Sequence, residues 1–145
     1  MSVPTILIIE DHVPDVVTLQ HALDRQGVAY LLEMLPDGEA ALAFVHQHRT
    51  GQRDHVPCVI LLDLYLPKFD GIAILEAIRT ASVLNHIHVM VLTSLATPVQ
   101  RAQIHAQGAL CRIKPIDMEG YYMLAAEIIE LCTGGSARKP SKTVI

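Results

Sequence analysis

The six residues Cys58–Asp63 read CVILLD, and every position before the terminal acid is apolar. A strand with no polar face must be covered on both sides. That is the condition of a parallel strand in the middle of a sheet flanked by helices. A chain carrying such a strand needs crossover helices, so the rest of the sequence should alternate between the two periodicities.

It does. Thr5–Glu10 (TILIIE) is a first buried strand ending in acid, and Val28–Leu35 reads as a second. Ile87–Thr93 and Leu110–Ile113 supply the fourth and fifth. Between them lie helical patterns. Pro14 opens one, with Val16, Leu19 and Leu23 on a face that ends at Gly27. Asp37 caps another through Ala41, Phe44 and Val45 to about Arg49. His48–Pro57 is polar and reads as a long loop. Asp70–Gly71 starts the third helix, with Ile74, Leu75 and Ile78; Thr97–Pro98 starts the fourth, which Gly108 ends. Asp117 begins the last, with Tyr121, Leu124, Ala125, Ile128 and Cys132 on one face. Five strands and five helices in strict alternation make an α/β, doubly wound five-stranded parallel sheet. The expected domain spans residues 4–133, with 134–145 (GGSARKPSKTVI) a flexible C-terminal tail.

At 145 residues and 51% hydrophobic the chain has material for one aliphatic core. No apolar run is long enough to cross a bilayer, and Ile6–Ile9 runs directly into Glu10–Asp11, unlike a secretory leader. The expectation is a cytoplasmic protein without a membrane segment. Residues 1–133 hold all 15 acids but only 8 of the 11 bases, a balance of −7 that argues against nucleic-acid binding. Cys58, Cys111 and Cys132 are odd in number and have no CxxC spacing, which predicts buried, reduced thiols. No histidine pair has zinc spacing.

In such sheets ligands bind beyond the carboxyl ends of the strands. There the sequence places Glu10 and Asp11 after strand one, Asp63 after strand three, Thr93–Ser94 after strand four and Lys114–Pro115 after strand five. Crowded carboxylates are costly without a cation among them. A set of hard oxygens lacking His or Cys suits Mg2+ or Mn2+, and Mg2+ keeps waters and accepts a phosphate oxygen. A carboxylate can also serve as nucleophile and form an acyl phosphate. Asp63, on the most central strand, is the candidate; Thr93 and Lys114 would bind phosphoryl oxygens.

Five segments in order, ILIIED (6–11), PDGEAAL (36–42), ILLDLYLPKFDG (60–71), VMVLTS (89–94) and IKPID (113–117), resemble the receiver domain of two-component response regulators, of the single-domain CheY-like type. The resemblance covers about residues 4–133 and implies a flavodoxin-like fold with strand order 2-1-3-4-5. It implies that Glu10, Asp11, Asp63 and the backbone carbonyl of Tyr65 hold Mg2+. Asp63 would accept a phosphoryl group from a sensor histidine kinase, Thr93 and Lys114 would sense it, and Lys114–Pro115 is a candidate cis peptide. Such a domain is a phosphoacceptor, catalysing only its own phosphoryl transfer and dephosphorylation.

The sequence departs from the family at Cys111, where Tyr or Phe is usual. A thiol cannot fill the volume of the ring that swings inward on phosphorylation, so Tyr121 or Tyr122 are candidate substitutes. Tyr65 and Leu95 should flank the path of an attacking water and slow hydrolysis. The twelve residues from Gly134 to Ile145 are too few to fold into an output domain, and none is expected. Output would then be association with a downstream protein target or a phosphotransfer protein, or homodimerisation through helix four, strand five and helix five. The loop at His48–Pro57 is similar to that of receivers associated with phytochrome-type kinases. The alternatives are a phosphorelay intermediate and a degenerate receiver serving as a phosphorylation-independent scaffold. An aspartate-nucleophile phosphatase would need an acid two residues after Asp63, where Tyr65 stands. A flavin carrier of this fold would need a phosphate loop where EDHVPD stands.

Overall fold

A computed structural model describes residues 3–134. In chain order the elements are β1 (Thr5–Ile9), α1 (Val13–Asp24), β2 (Leu31–Leu35), α2 (Gly38–Arg49), β3 (Val59–Leu62), β4 (Tyr65–Leu66), β5 (Phe69–Asp70), α3 (Gly71–Thr80), β6 (His88–Thr93), α4 (Pro98–Ala106), β7 (Leu110–Ile113) and α5 (Met118–Cys132). Five strands form one parallel sheet in the order β2-β1-β3-β6-β7. This is the expected flavodoxin-like order, with two short extra strands, β4 and β5, intervening in the numbering. Apart from Gly134, the tail expected over 134–145 lies outside the described residues.

Each central strand divides its side chains between two cores, because successive residues point to opposite faces. Leu7, Ile9, Ile60, Leu62, Val89 and Val91 pack with α2 and α3 residues such as Phe44 and Leu75. Ile6, Ile8, Val59, Leu61, Met90 and Leu92 pack with α1 and α5 residues such as Leu19 and Ile128. Leu61 and Leu75 are fully buried, and each such side chain contributes roughly 1.5–3 kcal/mol.

The helix starts follow the capping residues. Asp37, Asp70 and Asp117 accept from Ala40, Ile72 and Gly120, and Thr97 closes a capping box with Gln100 ahead of Pro98. Gly71 begins α3 against backbone: a Cβ there would lie 2.6 Å from Leu64 Cα and 2.8 Å from its carbonyl oxygen. The absence of a side chain lets α3 close onto the loop that carries Asp63.

Four expectations need correction. β2 begins at Leu31, not Val28: the chain leaves α1 through Gly27 at φ 71°, and Tyr30 is drawn back to α1 by a 2.6 Å bond from its hydroxyl to Asp24. None of the described peptide bonds is cis, Lys114–Pro115 included, so that bond takes the lower-energy trans form. The strands number more than the expected five: between Asp63 and α3 lies the antiparallel hairpin β4–β5, turned by Pro67 and by Lys68 at φ 70°. Pro followed by a left-handed residue is the pattern of a type II turn.

The fourth concerns the thiols. Cys58 and Cys132 form a disulfide across a Cα–Cα distance of 5.1 Å, leaving Cys111 as the free cysteine. Cys58 immediately precedes β3, and α5 runs back along the sheet to end at Cys132. Two cysteines 74 residues apart meet only because of that topology, which spacing cannot reveal. The loop after α2 is also pinned. His48, buried within α2, contacts the His55 carbonyl at 3.0 Å, His55 meets Thr5 Oγ1 at 2.8 Å, and Arg53 forms a two-pronged pair with Glu33.

Candidate metal and phosphoacceptor site

The register of the parallel ladders levels the strand ends. Ile9 pairs with Leu62, Leu62 with Val91, and Thr93 with Ile113. The ladder continues one residue further: Glu10 N–H donates to Leu35, Asp63 N–H to Ile9 and Lys114 N–H to Thr93, at 3.0, 3.1 and 2.8 Å. Glu10, Asp63, Thr93 and Lys114 are thereby fixed at one edge by backbone alone.

Glu10, Asp63 and Thr93 are buried, and Asp11 is exposed. Glu10, Asp11 and Asp63 each offer a carboxylate oxygen, and these oxygens lie within 4.8 Å of one another. Three hard oxygen donors at that separation, one open to solvent, fit a small divalent cation that keeps part of its water shell. Asp63 Oδ1 accepts from the Tyr65 N–H at 3.2 Å. The Thr93 hydroxyl donates to the Leu95 carbonyl at 3.3 Å.

Lys114 is drawn inward. Its Nζ lies 2.7 Å from Glu10 Oε1, 2.8 Å from Asp15 Oδ2 and 3.5 Å from Asp63 Oδ2. Burial alone would lower the pKa of this ammonium, but its hydrogen bonds to Asp15 and Glu10 and the charge of Asp63 outweigh that and hold it well above the ordinary lysine range. Glu10 is pushed up, first by burial and then by the neighbouring Asp63 charge, despite Lys114. Asp15 moves the other way: burial opposes its ionisation, yet the bond from Lys114 prevails and lowers its pKa. Asp15 also meets His12 Nδ1 at 3.1 Å.

Asp15 was not among the residues expected from sequence. Its one signal is an acid in the first turn of α1, next to Pro14, which reads equally as a favourable charge at a helix N-terminus. Of the two candidates to replace the missing ring at position 111, Tyr121 is buried and lines the cleft beside Lys114. Tyr122 faces away from it, stacked under Arg25 at 4.3 Å. Cys111 is half-buried against the core that includes α4's Ile104. Tyr65 and Leu95 are both exposed, and the Tyr65 hydroxyl donates to Gln100 Oε1 at 3.2 Å, the same oxygen that caps α4.

A doubly wound sheet with an acidic cluster and a lysine at its carboxyl edge is the arrangement of a receiver-type signalling domain. Residues 6–121 match the response regulator receiver domain family, and the chain belongs to it. Among curated proteins, it is 36% identical over 132 residues to the probable methanogenesis regulatory protein FilR2 of Methanothrix harundinacea, covering 89% of this chain and 83% of that one. It is 39% identical over 89 residues to the response regulator Rcp1 of Synechocystis, covering 61% and 60%. Among solved structures, the phosphorylated cyanobacterial phytochrome response regulator RcpA superposes with a TM-score of 0.79 at 27% identity, over 91% of this chain and 95% of that one. The Mn2+-bound form of Rcp1 gives 0.75 at 30% identity, over 88% and 92%. No helix among the described residues is long and apolar enough to cross a membrane.

Proposed function

We propose that residues 4–133 form a working receiver that takes a phosphoryl group onto Asp63 from the phosphohistidine of a sensor histidine kinase, with Mg2+ bound by Glu10, Asp11, Asp63 and the Tyr65 carbonyl. The observation that carries this reading is the buried Asp63 carboxylate, with Glu10 and Asp11 oxygens within 4.8 Å and the Lys114 ammonium at 3.5 Å. When bound, the cation would neutralise the carboxylates and the incoming phosphoryl oxygens.

This chain's own residues supply the rest. Asp63, ionised, offers an oxygen lone pair to phosphorus; the P–O bond forms as the P–N bond breaks and its electron pair returns to the imidazole. Lys114 is a short side-chain movement from a phosphoryl oxygen on Asp63. Thr93, with its hydroxyl on the Leu95 carbonyl, can exchange that weak partner for a charged oxygen, a stronger acceptor. The only reactions catalysed would be this transfer and the later hydrolysis.

Output on this reading is association in the cytoplasm, with a downstream protein target, with a phosphotransfer protein in a relay, or with a second copy through α4, β7 and α5. No nucleic-acid contact is proposed, given the acidic body. Cys111 favours a second reading, a degenerate receiver that acts as a scaffold, because no ring at that position can report on Thr93. Intact mass after incubation with Mg2+ and acetyl phosphate separates the two. One added phosphoryl group on wild type and none on Asp63→Asn is the expected result. No adduct, with Mg2+ binding absent by calorimetry, overturns the receiver reading in favour of the scaffold.

A further inference from the structure

Lys114 has two close carboxylate partners, and they are not equivalent. Glu10 belongs to the cluster of oxygens that fits a divalent cation; Asp15 does not. Both Glu10 oxygens are engaged, Oε1 with Lys114 at 2.7 Å and Oε2 with the His12 N–H at 3.1 Å. A cation arriving on Glu10 must therefore share or displace a donor, and an ammonium beside it is repelled. Asp15 reaches Lys114 from α1, off the metal cluster, so its 2.8 Å contact would not have to be shared with a cation.

Asp15 is itself well fixed. It stands in the first turn of α1 behind Pro14, where a negative charge is favoured by the helix N-terminus. Its N–H donates to the His12 carbonyl, and its second oxygen meets His12 Nδ1. Lysine, by contrast, is a point charge on a flexible four-carbon stem that solvent would claim without a partner.

We propose that Asp15 is the positioning residue for Lys114: once metal engages Glu10, Asp15 alone holds the ammonium beside Asp63, where a phosphoryl oxygen arrives. This rests on the receiver chemistry proposed above. It assigns Asp15 neither metal nor phosphoryl contact; it acts through Lys114.

Two measurements test it. The first follows the Lys114 ammonium by 1H–15N NMR, where hydrogen bonding slows proton exchange enough to give a cross-peak. Wild type should keep that cross-peak when Mg2+ is added, whereas Asp15→Ala should lose it on Mg2+ addition, and the shape-conserving Asp15→Asn should weaken it. The second is the rate of phosphorylation by acetyl phosphate. Asp15→Ala should slow it about tenfold, and should change it less than about twofold in a Lys114→Met background. A cross-peak unaltered in Asp15→Ala overturns the proposal. So does an equal slowing in the Lys114→Met background, which would mark a general loss of negative charge. No phosphoryl uptake by wild type overturns the receiver reading, and with it any part for Asp15 in the transfer, whatever the cross-peak does.

Discussion

Reducing the Cys58–Cys132 bond should destabilise the domain by an amount that its place in the chain sets. The bond closes a loop of sequence separation 74. Chain-entropy arithmetic for a loop of that length removes about 15 cal/mol/K from the unfolded ensemble, or about 4.5 kcal/mol at 25 °C. That figure is a ceiling, since residual structure in the unfolded chain absorbs part of it. With a urea dependence of about 2 kcal/mol/M for a domain of this size, the unfolding midpoint should fall by roughly 1–2 M on reduction. The assay is urea unfolding followed by circular dichroism, with and without a phosphine reductant. Cys58→Ser should unfold at the reduced midpoint and be indifferent to reductant. Cys111 serves as the internal control, because thiol titration of the unreduced protein unfolded in denaturant should find one reactive group. Coincident unfolding curves for oxidised and reduced protein, or three titratable thiols before reduction, would refute the reasoning. In a reducing compartment the bond would be open, and the apolar core that α5 shares with α1 would then hold it in place.

Other perturbations reach the site itself. Gly71→Ala should cost about 2 kcal/mol or more in a thermal or urea melt, because its Cβ would strike Leu64 backbone at 2.6 Å and push on the loop holding Asp63. Asp11→Asn should weaken Mg2+ binding about tenfold or more by calorimetry while leaving the metal-free melting temperature unchanged or raised, since it removes one of three crowded carboxylates. Tyr65→Asn should speed loss of phosphate from Asp63 about threefold or more in a mass-spectrometric time course; it removes a ring tethered to Gln100 and opens the approach to the acceptor. Tyr30 is raised above the ordinary tyrosine range by burial and by its bond to Asp24. Its contribution to stability is thus complete below the phenol's unfolded pKa and is lost as pH rises through the folded value, so Tyr30→Phe should flatten the alkaline limb of melting temperature against pH.

The elements carried by one periodicity or one cap were legible in the sequence. CVILLD marks a central strand because no face of it is polar, and Asp37, Asp70, Thr97 and Asp117 mark the helix starts because each accepts a bond from a backbone N–H two or three residues on. Residues placed by strand ends could be read too, since parallel register alone brings Glu10, Asp63, Thr93 and Lys114 level. What could not be read depends on contacts between distant elements. The disulfide needs the end of α5 to return to the start of β3. Asp15 matters only because Lys114, 99 residues away, folds back over α1. The β4–β5 hairpin rests on a lysine at positive φ, a conformation that its residue type disfavours.

The same contacts explain how the edge tolerates its charge. Glu10, Asp11, Asp15 and Asp63 set four carboxylates against one ammonium, and at an effective dielectric near 20 two unit charges about 4.8 Å apart repel by about 3.5 kcal/mol. Burial has already pushed Glu10 up, so the resting site is held together by Lys114 bridging two elements, β1 and α1. A divalent cation would relieve the repulsion among Glu10, Asp11 and Asp63 but would weaken the Lys114–Glu10 pair. The ammonium would then depend on Asp15, with its nearest other anion at Asp63. On the reading proposed here, metal held by Glu10, Asp11 and Asp63 would therefore leave the lysine to Asp15 and Asp63, which would keep beside the acceptor the ammonium that stabilises its product.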